Sequence, residues 1–270
     1  MNDAERRRQL AKAQMLVRKN SEDLDRRKHW GAETRMQEYQ DAILESLNLE
    51  PLEDALDSFS QENVVTESLF DRLSQSIDFK GLFADNMIDE LQEILVKTFK
   101  QGGNRVLTVD GDSLDVAFDV QPERIVDQLQ SQEIYLKNLA EDAQKRVRES
   151  IIQGAEEGKS IGEMKDDILD DVEGMTEHRA ETIARSEVID ASNKGTEEAM
   201  DKVGIKEAVI DASIDKQTCE KGSFSWTASD GSEYTSCQEW NGEKFDREEL
   251  PSIPKDSHPN CRCAILVATE

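Results

Sequence analysis

The sequence predicts a mainly α protein with a small C-terminal α+β module, three short strands packed on one helix and held by a zinc clip. Three observations predict this. Apolar residues recur at three- and four-residue steps through most of the chain before Gly204, the period of amphipathic helices. Strand-like runs rich in Val and Ile are confined to residues 104–118 and to the stretch after Ile205. All four cysteines, and one of the three histidines, lie beyond residue 218, a concentration of soft ligands that suits a structural metal.

Residues 4–48 read as helical, with a break at Trp30-Gly31. Leu10, Val17 and Leu24 recur every seven residues, a narrow stripe for helix packing or partner docking. Met36, Tyr39, Ile43 and Leu47 form the face of a second helix, and His29 reads as a surface residue without a companion ligand. Pro51 opens a polar segment. Helices follow near 66–77 and 84–100; Leu91, Ile94 and Leu95 face the latter, and Gly102-Gly103 is its expected stop. Asp110-Gly111-Asp112 predicts a hairpin turn between two short apolar runs. Asp110, Asp112 and Asp115 lack the alternation and terminal Glu of a calcium loop.

Pro122 suits the first turn of a long helix. Ile125, Leu129, Leu136, Ala140, Ala143, Val147 and Ile151 line one face of it, up to Gly154. Ser160-x-x-Glu163 is a capping box for a short helix carrying Ile161, Met164 and Ile168, closed by Gly174. A further helix runs from about 177 to 202, with Ala180, Ala184 and Ala191 allowing close packing and Gly204 ending it. Ala208–Ile214, the vicinity of Phe245 and residues 263–268 supply the three strands. The expected domains are a helical, partner-docking N-terminal arm (1–60), a mainly helical middle region (61–176) and the α+β module with its Cys/His cluster (177–270).

Charge bounds the partners. Net charge is −26, and it is uneven: residues 1–35 hold ten Lys/Arg against six Asp/Glu, 36–177 twelve against thirty-four, and 178–270 eleven against nineteen. Phosphate binding needs clustered cations, so a general nucleic-acid binder is disfavoured. Residues 1–28, with Arg6-Arg7-Arg8, Arg18-Lys19 and Arg26-Arg27-Lys28, are the one candidate for DNA contact. Glu22, Asp23 and Asp25 dilute that segment toward a mixed-charge helix face. A carboxylate-rich surface also suits molar salt, as in a virus of a halophilic host. The N-terminal residues lack an apolar h-region and no run of about 18 apolar residues exists, so neither a signal peptide nor a membrane span is expected. The expectation is a soluble protein made in the cytoplasm.

Five metal donors lie in the terminal stretch: Cys219, Cys237, His258, Cys261 and Cys263. His258-x-x-Cys261, spanning Pro259-Asn260, is a turn spacing that lets both side chains face one centre. Cys261-x-Cys263 opens the apolar run Ala264–Ala268, and residues two apart in a strand share a face. Cys237 precedes the turn pair Asn241-Gly242. Four tetrahedral positions would take Cys219, Cys237, His258 and either Cys261 or Cys263. The competing readings are a Cys219–Cys237 disulfide in an oxidising compartment and buried thiols without a ligand.

Asp215-x-x-Thr218-Cys219, Cys237-x-x-x-x-Gly242-x-x-Phe245 and His258-Pro259-Asn260-Cys261-Arg262-Cys263 together resemble the C-terminal signature of the Mu-F-like head morphogenesis family, minor head proteins of tailed phages. Arg179-Ala180-Glu181-x-Ile183-Ala184-Arg185-Ser186-Glu187 is similar to the family's RAxxIARTE helix, with Ser186 where Thr is usual. Asn193-x-Gly195 and Gly204 fall where the pattern expects them. The resemblance covers roughly residues 118–268 and is specific in about the last ninety. One departure stands out. The family has two residues between its first two cysteines, whereas Glu220–Ser236 stand here; rich in Ser, Thr and Gly, they read as a surface loop.

The resemblance implies a structural minor capsid protein, present in few copies and acting in head assembly or genome delivery. Its implied partners are the portal protein and, second to it, the major capsid protein. Its implied place is the virion interior near the portal, after assembly in the host cytoplasm. No serine, histidine or lysine constellation accompanies Arg179, Glu181, Arg185 and Glu187, so no enzyme and no catalytic residues are expected. Glu181 and Arg185, four apart, support their helix, and the four charges read as holding it to the zinc module. The alternatives are a zinc-dependent nucleic-acid-binding module, which would need cations around the cluster, and a metal-dependent nuclease, which would need an open metal position and a base.

Overall fold

The computed structural model describes residues 32–60, 77, 82, 87–109, 112–113, 122–212, 221–258 and 261–268. The elements in chain order are α1 (Ala32–Glu45), α2 (Glu50–Ser60), α3 (Met87–Leu107), β1 (Thr108–Val109), β2 (Asp112–Ser113), α4 (Pro122–Glu157) and α5 (Ile161–Val203). There follow β3 (Glu207–Ala212), β4 (Trp226–Thr227), β5 (Glu233–Tyr234), α6 (Cys237–Trp240), β6 (Lys244–Asp246), a 3-10 turn (Arg247–Glu249) and β7 (Cys263–Val267). The chain is mainly helical and ends in short antiparallel strands packed with a helix, as the periodicity predicts. It divides into two compact units, one of Glu38–Gln92 with Val126–Ile183 and the other of Met1–Gln37 with Glu93–Ile125 and Ala184–Glu270. The seven-residue stripe at Leu10, Val17 and Leu24, the break at Trp30-Gly31 and the helix near 66–77 lie outside the described residues.

In the unit of Glu38–Gln92 with Val126–Ile183, helices bury the faces their periodicity marks. Tyr39, Ala42 and Ile43 of α1, Leu52 and Leu56 of α2, Leu139, Ala143, Val147 and Ile151 of α4, and Met164, Ile168 and Val172 of α5 are all buried. Pro51, expected to open a polar segment, stands instead in the first turn of α2, where its missing N–H leaves no helical bond unmade. Asn48 Oδ1 accepts from Glu50 N–H at 3.1 Å beside that start. The capping box forms: Glu163 N–H donates to Ser160 Oγ at 3.3 Å, and the Glu163 carboxylate accepts from Ser160 N–H at 2.8 Å. Lys165 reaches Asp57 and Glu53 of α2.

Two helix stops expected at glycines do not occur. Gly174 lies inside α5, which runs unbroken for 43 residues. Its neighbours Val172 and Thr176 are buried, so the packed face continues through it. An interior glycine costs roughly 1 kcal/mol relative to alanine, about half of what one buried Val side chain contributes. Arg179 also departs from expectation. Its guanidinium Nε donates to Asp142 of α4 at 2.8 Å, within this unit rather than toward the C-terminal module.

The second exception is Gly102-Gly103, which α3 passes through to reach Leu107. In this other unit α3 crosses the end of α5 at van der Waals contact of their backbones. A Cβ on Gly102 would stand 2.1 Å from the Ser192 carbonyl oxygen, and one on Gly195 would stand 2.0 Å from that of Phe99. The glycines are there because no side chain fits. Beside the crossing, Arg105 donates to the Ser192 hydroxyl, and burial lowers its guanidinium to about 10. The expected hairpin is present in a shorter form: Val106 and Leu107 of the first apolar run end α3, Thr108-Val109 pair with Ser113 and Asp112, and the second run, Leu114–Phe118, lies outside the described residues.

The sheet has the order β6-β3-β7, antiparallel throughout, with Ala208 opposite Phe245 and Ile210 opposite Ile265. Gly204, with φ of 73°, closes α5 and turns the chain into β3. Asn193 of α5 secures β7: its Nδ2 donates to the Cys263 carbonyl at 3.2 Å and its Oδ1 accepts from Ile265 N–H at 3.0 Å. The amide thereby satisfies strand groups that β3 does not, and both are buried. Ile189, Ala199, Met200, Ile210, Trp240, Ile253, Ile265 and Val267 belong to one core.

Helix α5 also carries Glu187, 3% exposed, whose Oε2 has no hydrogen-bond partner among the described residues. Burial, helped by Asp190 and opposed by Lys194, pushes its carboxyl up to about 9. Below an unfolded value of about 4.5 the group is protonated in both states, and stability does not depend on it. Between about pH 4.5 and 9 the unfolded chain loses the proton while the folded chain keeps it, so stability falls as pH rises. Glu187→Gln is therefore expected to raise stability at pH 7 by about 1–3 kcal/mol and to flatten the profile over that window. Urea unfolding of both proteins at pH 5, 7 and 8.5 checks it; equal slopes with pH would contradict the assignment.

Candidate metal centre

The insertion between the first two cysteines shapes the site. Residues 220–236 have the composition of a surface loop, but the described part, from Lys221 on, folds as the β4–β5 hairpin, with Trp226 opposite Tyr234. Gly231, with φ of 88°, sits in its turn, and Ala228 N–H donates to the Ser232 carbonyl at 2.9 Å. The aromatic side chains of the segment pack inward. Trp226 meets Trp240 and Phe245 edge-on, with ring centroids 5.7 Å apart in both cases, and Phe224 lies 4.6 Å from Trp240. Three aromatic rings of the segment, Phe224, Trp226 and Tyr234, packed on buried Trp240 and Phe245, outweigh its polar composition, because each covers a large apolar area. The signal was present in the sequence as Trp226 and Tyr234 flanking Asp230-Gly231, a turn pair.

The hairpin delivers the chain to Cys237 at the first position of α6. Ser236 is the N-cap and its Oγ accepts from Glu239 N–H, while the Glu239 carboxylate accepts from Thr235 N–H at 2.6 Å and from its hydroxyl at 3.0 Å. These bonds also hold the Glu239 carboxyl below its usual range. Gly242, with φ of 82°, then returns the chain to β3 by donating to the Ile210 carbonyl at 2.8 Å. The far side of the site is a second compact turn. Asp256 N–H donates to the Ser252 carbonyl at 2.7 Å, and Ser252 N–H to the Asp256 carboxylate at 2.7 Å. Cys261 N–H donates to the His258 carbonyl at 3.1 Å, the turn that the His258-x-x-Cys261 spacing predicts. Cys263 begins β7 opposite Ala212.

Cys237, His258 and Cys261 converge, their donor atoms all within 4.8 Å of one another. Cys237 Sγ is 3.2 Å from His258 Nε2 and 3.8 Å from Cys261 Sγ. Two thiolates bound at about 2.3 Å to one tetrahedral ion stand about 3.8 Å apart, and the Cys237–Cys261 edge has that length. The three described cysteines carry no disulfide and are 3%, 0% and 1% exposed in chain order. The Cys263 thiol joins them. Hydrogen bonds from Cys237 and Cys263, assisted by His258 and Ser257, hold the Cys261 thiol well below its ordinary range. The same cluster, with burial and the neighbouring negative charge, pushes Cys263 up.

Cys237, His258 and Cys261 fit a metal ion: two soft sulfur donors and one imidazole, the thiols buried and the ring half-buried, with the Cys263 thiol hydrogen-bonded to both cysteines beside them. Thiolates with an imidazole are the donor chemistry of structural sites, which take four protein ligands. The structure thus brings together Cys237, His258, Cys261 and Cys263. Cys219, with Asp215 and Thr218 of the same string, lies outside the described residues. Trp240, Phe224 and Asn193 are the supporting residues that donor spacing alone did not reveal. The other unit has a surface cleft of about 500 Å³ between α4 and α5. Its basic groups pair with carboxylates of its own wall, Arg179 with Asp142, and Lys145 and Arg146 with Glu149, while Asp171 accepts from the Ser150 hydroxyl. No helix among the described residues is long and apolar enough to cross a membrane. No family model matches the chain, and no curated protein or solved structure matches it.

Proposed function

We propose that this chain is a structural minor head protein of a tailed virus, associated with the portal protein in head assembly or genome delivery. In this reading Cys237, His258, Cys261 and Cys263 hold a structural zinc that clips the C-terminal module. One observation carries the proposal. Several described residues of the head-protein signature, between positions 193 and 263, have a physical task in one small module. Asn193 secures β7, Gly195 permits the helix crossing, Gly204 and Gly242 turn the chain at positive φ, Phe245 faces the core, and the Cys/His string closes the metal cluster. That these positions fall at the joints of one module supports the reading. Thiolate-rich closed shells favour zinc among common divalent ions.

The test is particle composition. Particles purified from the producing host, analysed by quantitative mass spectrometry, are expected to contain this chain in few copies relative to the major capsid protein. Cross-linking should join it to the portal protein. Absence from particles, with the chain abundant in the lysate, would overturn the proposal. Metal-dependent cleavage of DNA by the purified chain would turn it toward the nuclease alternative.

A further inference from the structure

We propose that Phe224 is a positioning residue of the metal centre: its ring shields the His258 imidazole and holds its plane, so the inserted hairpin sets how fast the metal leaves. This rests on the metal reading above and adds what the donor set does not contain. The three cysteines are buried, whereas His258 is half-buried. Water or a competing ligand therefore reaches the site first at the imidazole.

Phe224 stands on that side. Its ring stacks on the His258 ring with planes 21° apart and centroids 6.4 Å apart, within the range of offset aromatic stacking. The other side of Phe224 rests on fully buried Trp240. Its backbone is fixed as well. Phe224 N–H and Gly222 N–H both donate to the Thr235 carbonyl, at 3.4 and 3.1 Å, two residues before Cys237. One residue thus links the segment that carries Cys237 to the segment that carries His258, Cys261 and Cys263. An imidazole ligand binds well only when its plane and tautomer are held from outside the metal, and disturbing such support typically changes affinity by about 10- to 100-fold.

The experiment uses the full zinc-loaded chain and follows zinc transfer to an excess of a chromophoric chelator. Phe224→Leu keeps apolar volume and loses the ring plane; Phe224→Tyr keeps the ring. Zinc is expected to leave Phe224→Leu at least about ten-fold faster and to leave Phe224→Tyr within about two-fold of the parent rate. Ser229→Ala, at the far end of the hairpin, is the control and keeps the parent rate. Cobalt substituted for zinc should show altered visible bands in Phe224→Leu but not in Phe224→Tyr, a change that loss of packing elsewhere would not produce. Tryptophan fluorescence establishes that each variant is folded. A Leu variant that releases zinc at the parent rate with unchanged cobalt bands overturns this proposal alone. A parent chain that binds no zinc overturns the metal reading and this one together.

Discussion

Cys263→Ser is expected to strip zinc from the chain and unfold the C-terminal module, whereas Cys219→Ser keeps both. The argument is one of donor count. Cys237, His258 and Cys261 lie within 4.8 Å of one another, and the Cys263 thiol is hydrogen-bonded to both cysteines, which makes it the expected fourth donor. The sheet is small, with strands of six, three and five residues. Much of its core is the cluster itself: Cys237, Cys261 and Cys263 sit among Ile210, Trp240 and Ile253. Metal binding in small modules is largely folding free energy, and losing it here should cost on the order of 5 kcal/mol. A thiol replaced by a hydroxyl without any metal involved would cost only about 1–3 kcal/mol.

The measurement pairs elemental analysis with urea unfolding followed by tryptophan fluorescence. About one zinc per chain is expected in the parent and in Cys219→Ser, and none in Cys263→Ser or His258→Ala. Treatment of the parent with a strong chelator should reproduce the Cys263→Ser unfolding curve. Zinc retained by Cys263→Ser but lost by Cys219→Ser would move the fourth donor to Cys219. A parent without metal would remove the clip.

Gly195→Ala is expected to destabilise the same unit by at least about 3 kcal/mol, at the upper end of overpacking effects. The added Cβ would stand 2.0 Å from the Phe99 carbonyl oxygen and 3.0 Å from Gly103 N. Both are backbone atoms of α3, so no rotamer change relieves the clash and the helices must part. Parting them also disturbs Asn193, two residues earlier, which holds Cys263 and Ile265. Zinc affinity should therefore fall together with stability. The control is Gly174→Ala, in the same helix, where an added Cβ meets nothing within 4 Å. There the better helix propensity of alanine should stabilise by roughly 0.5–1 kcal/mol. Equal effects at the two positions would show that backbone propensity, not the crossing, governs Gly195.

The contrast between these glycines shows where sequence reading succeeds and where it stops. Gly204 has the sequence signal of a helix end and is one, because φ of 73° is a local property that glycine tolerates best. Gly102 and Gly174 carry the same local signal and yet lie inside helices. What separates them from Gly204 is whether neighbouring residues have a buried face to continue, which depends on partners far away in sequence. The inserted segment makes the same point. Its polar composition suggested a loop, but Trp226, Tyr234 and Phe224 found a buried surface on Trp240 and Phe245 and folded as a hairpin.

By itself the sequence determined the helical class, the capping box at Ser160, the β1–β2 turn, the strands of the terminal sheet and the donor spacing from His258 to Cys263. Each of these is set by neighbours within a few residues: side-chain period, backbone dihedral preference, reach across one turn. Only the tertiary structure decided that the Cys263 thiol hydrogen-bonds to Cys237, that Phe224 covers His258, that Asn193 pairs with β7 and that Glu187 is buried. Those relations join positions between about twenty and seventy apart, and they exist because packing against a common core makes burial favourable wherever the chain brings matching surfaces together.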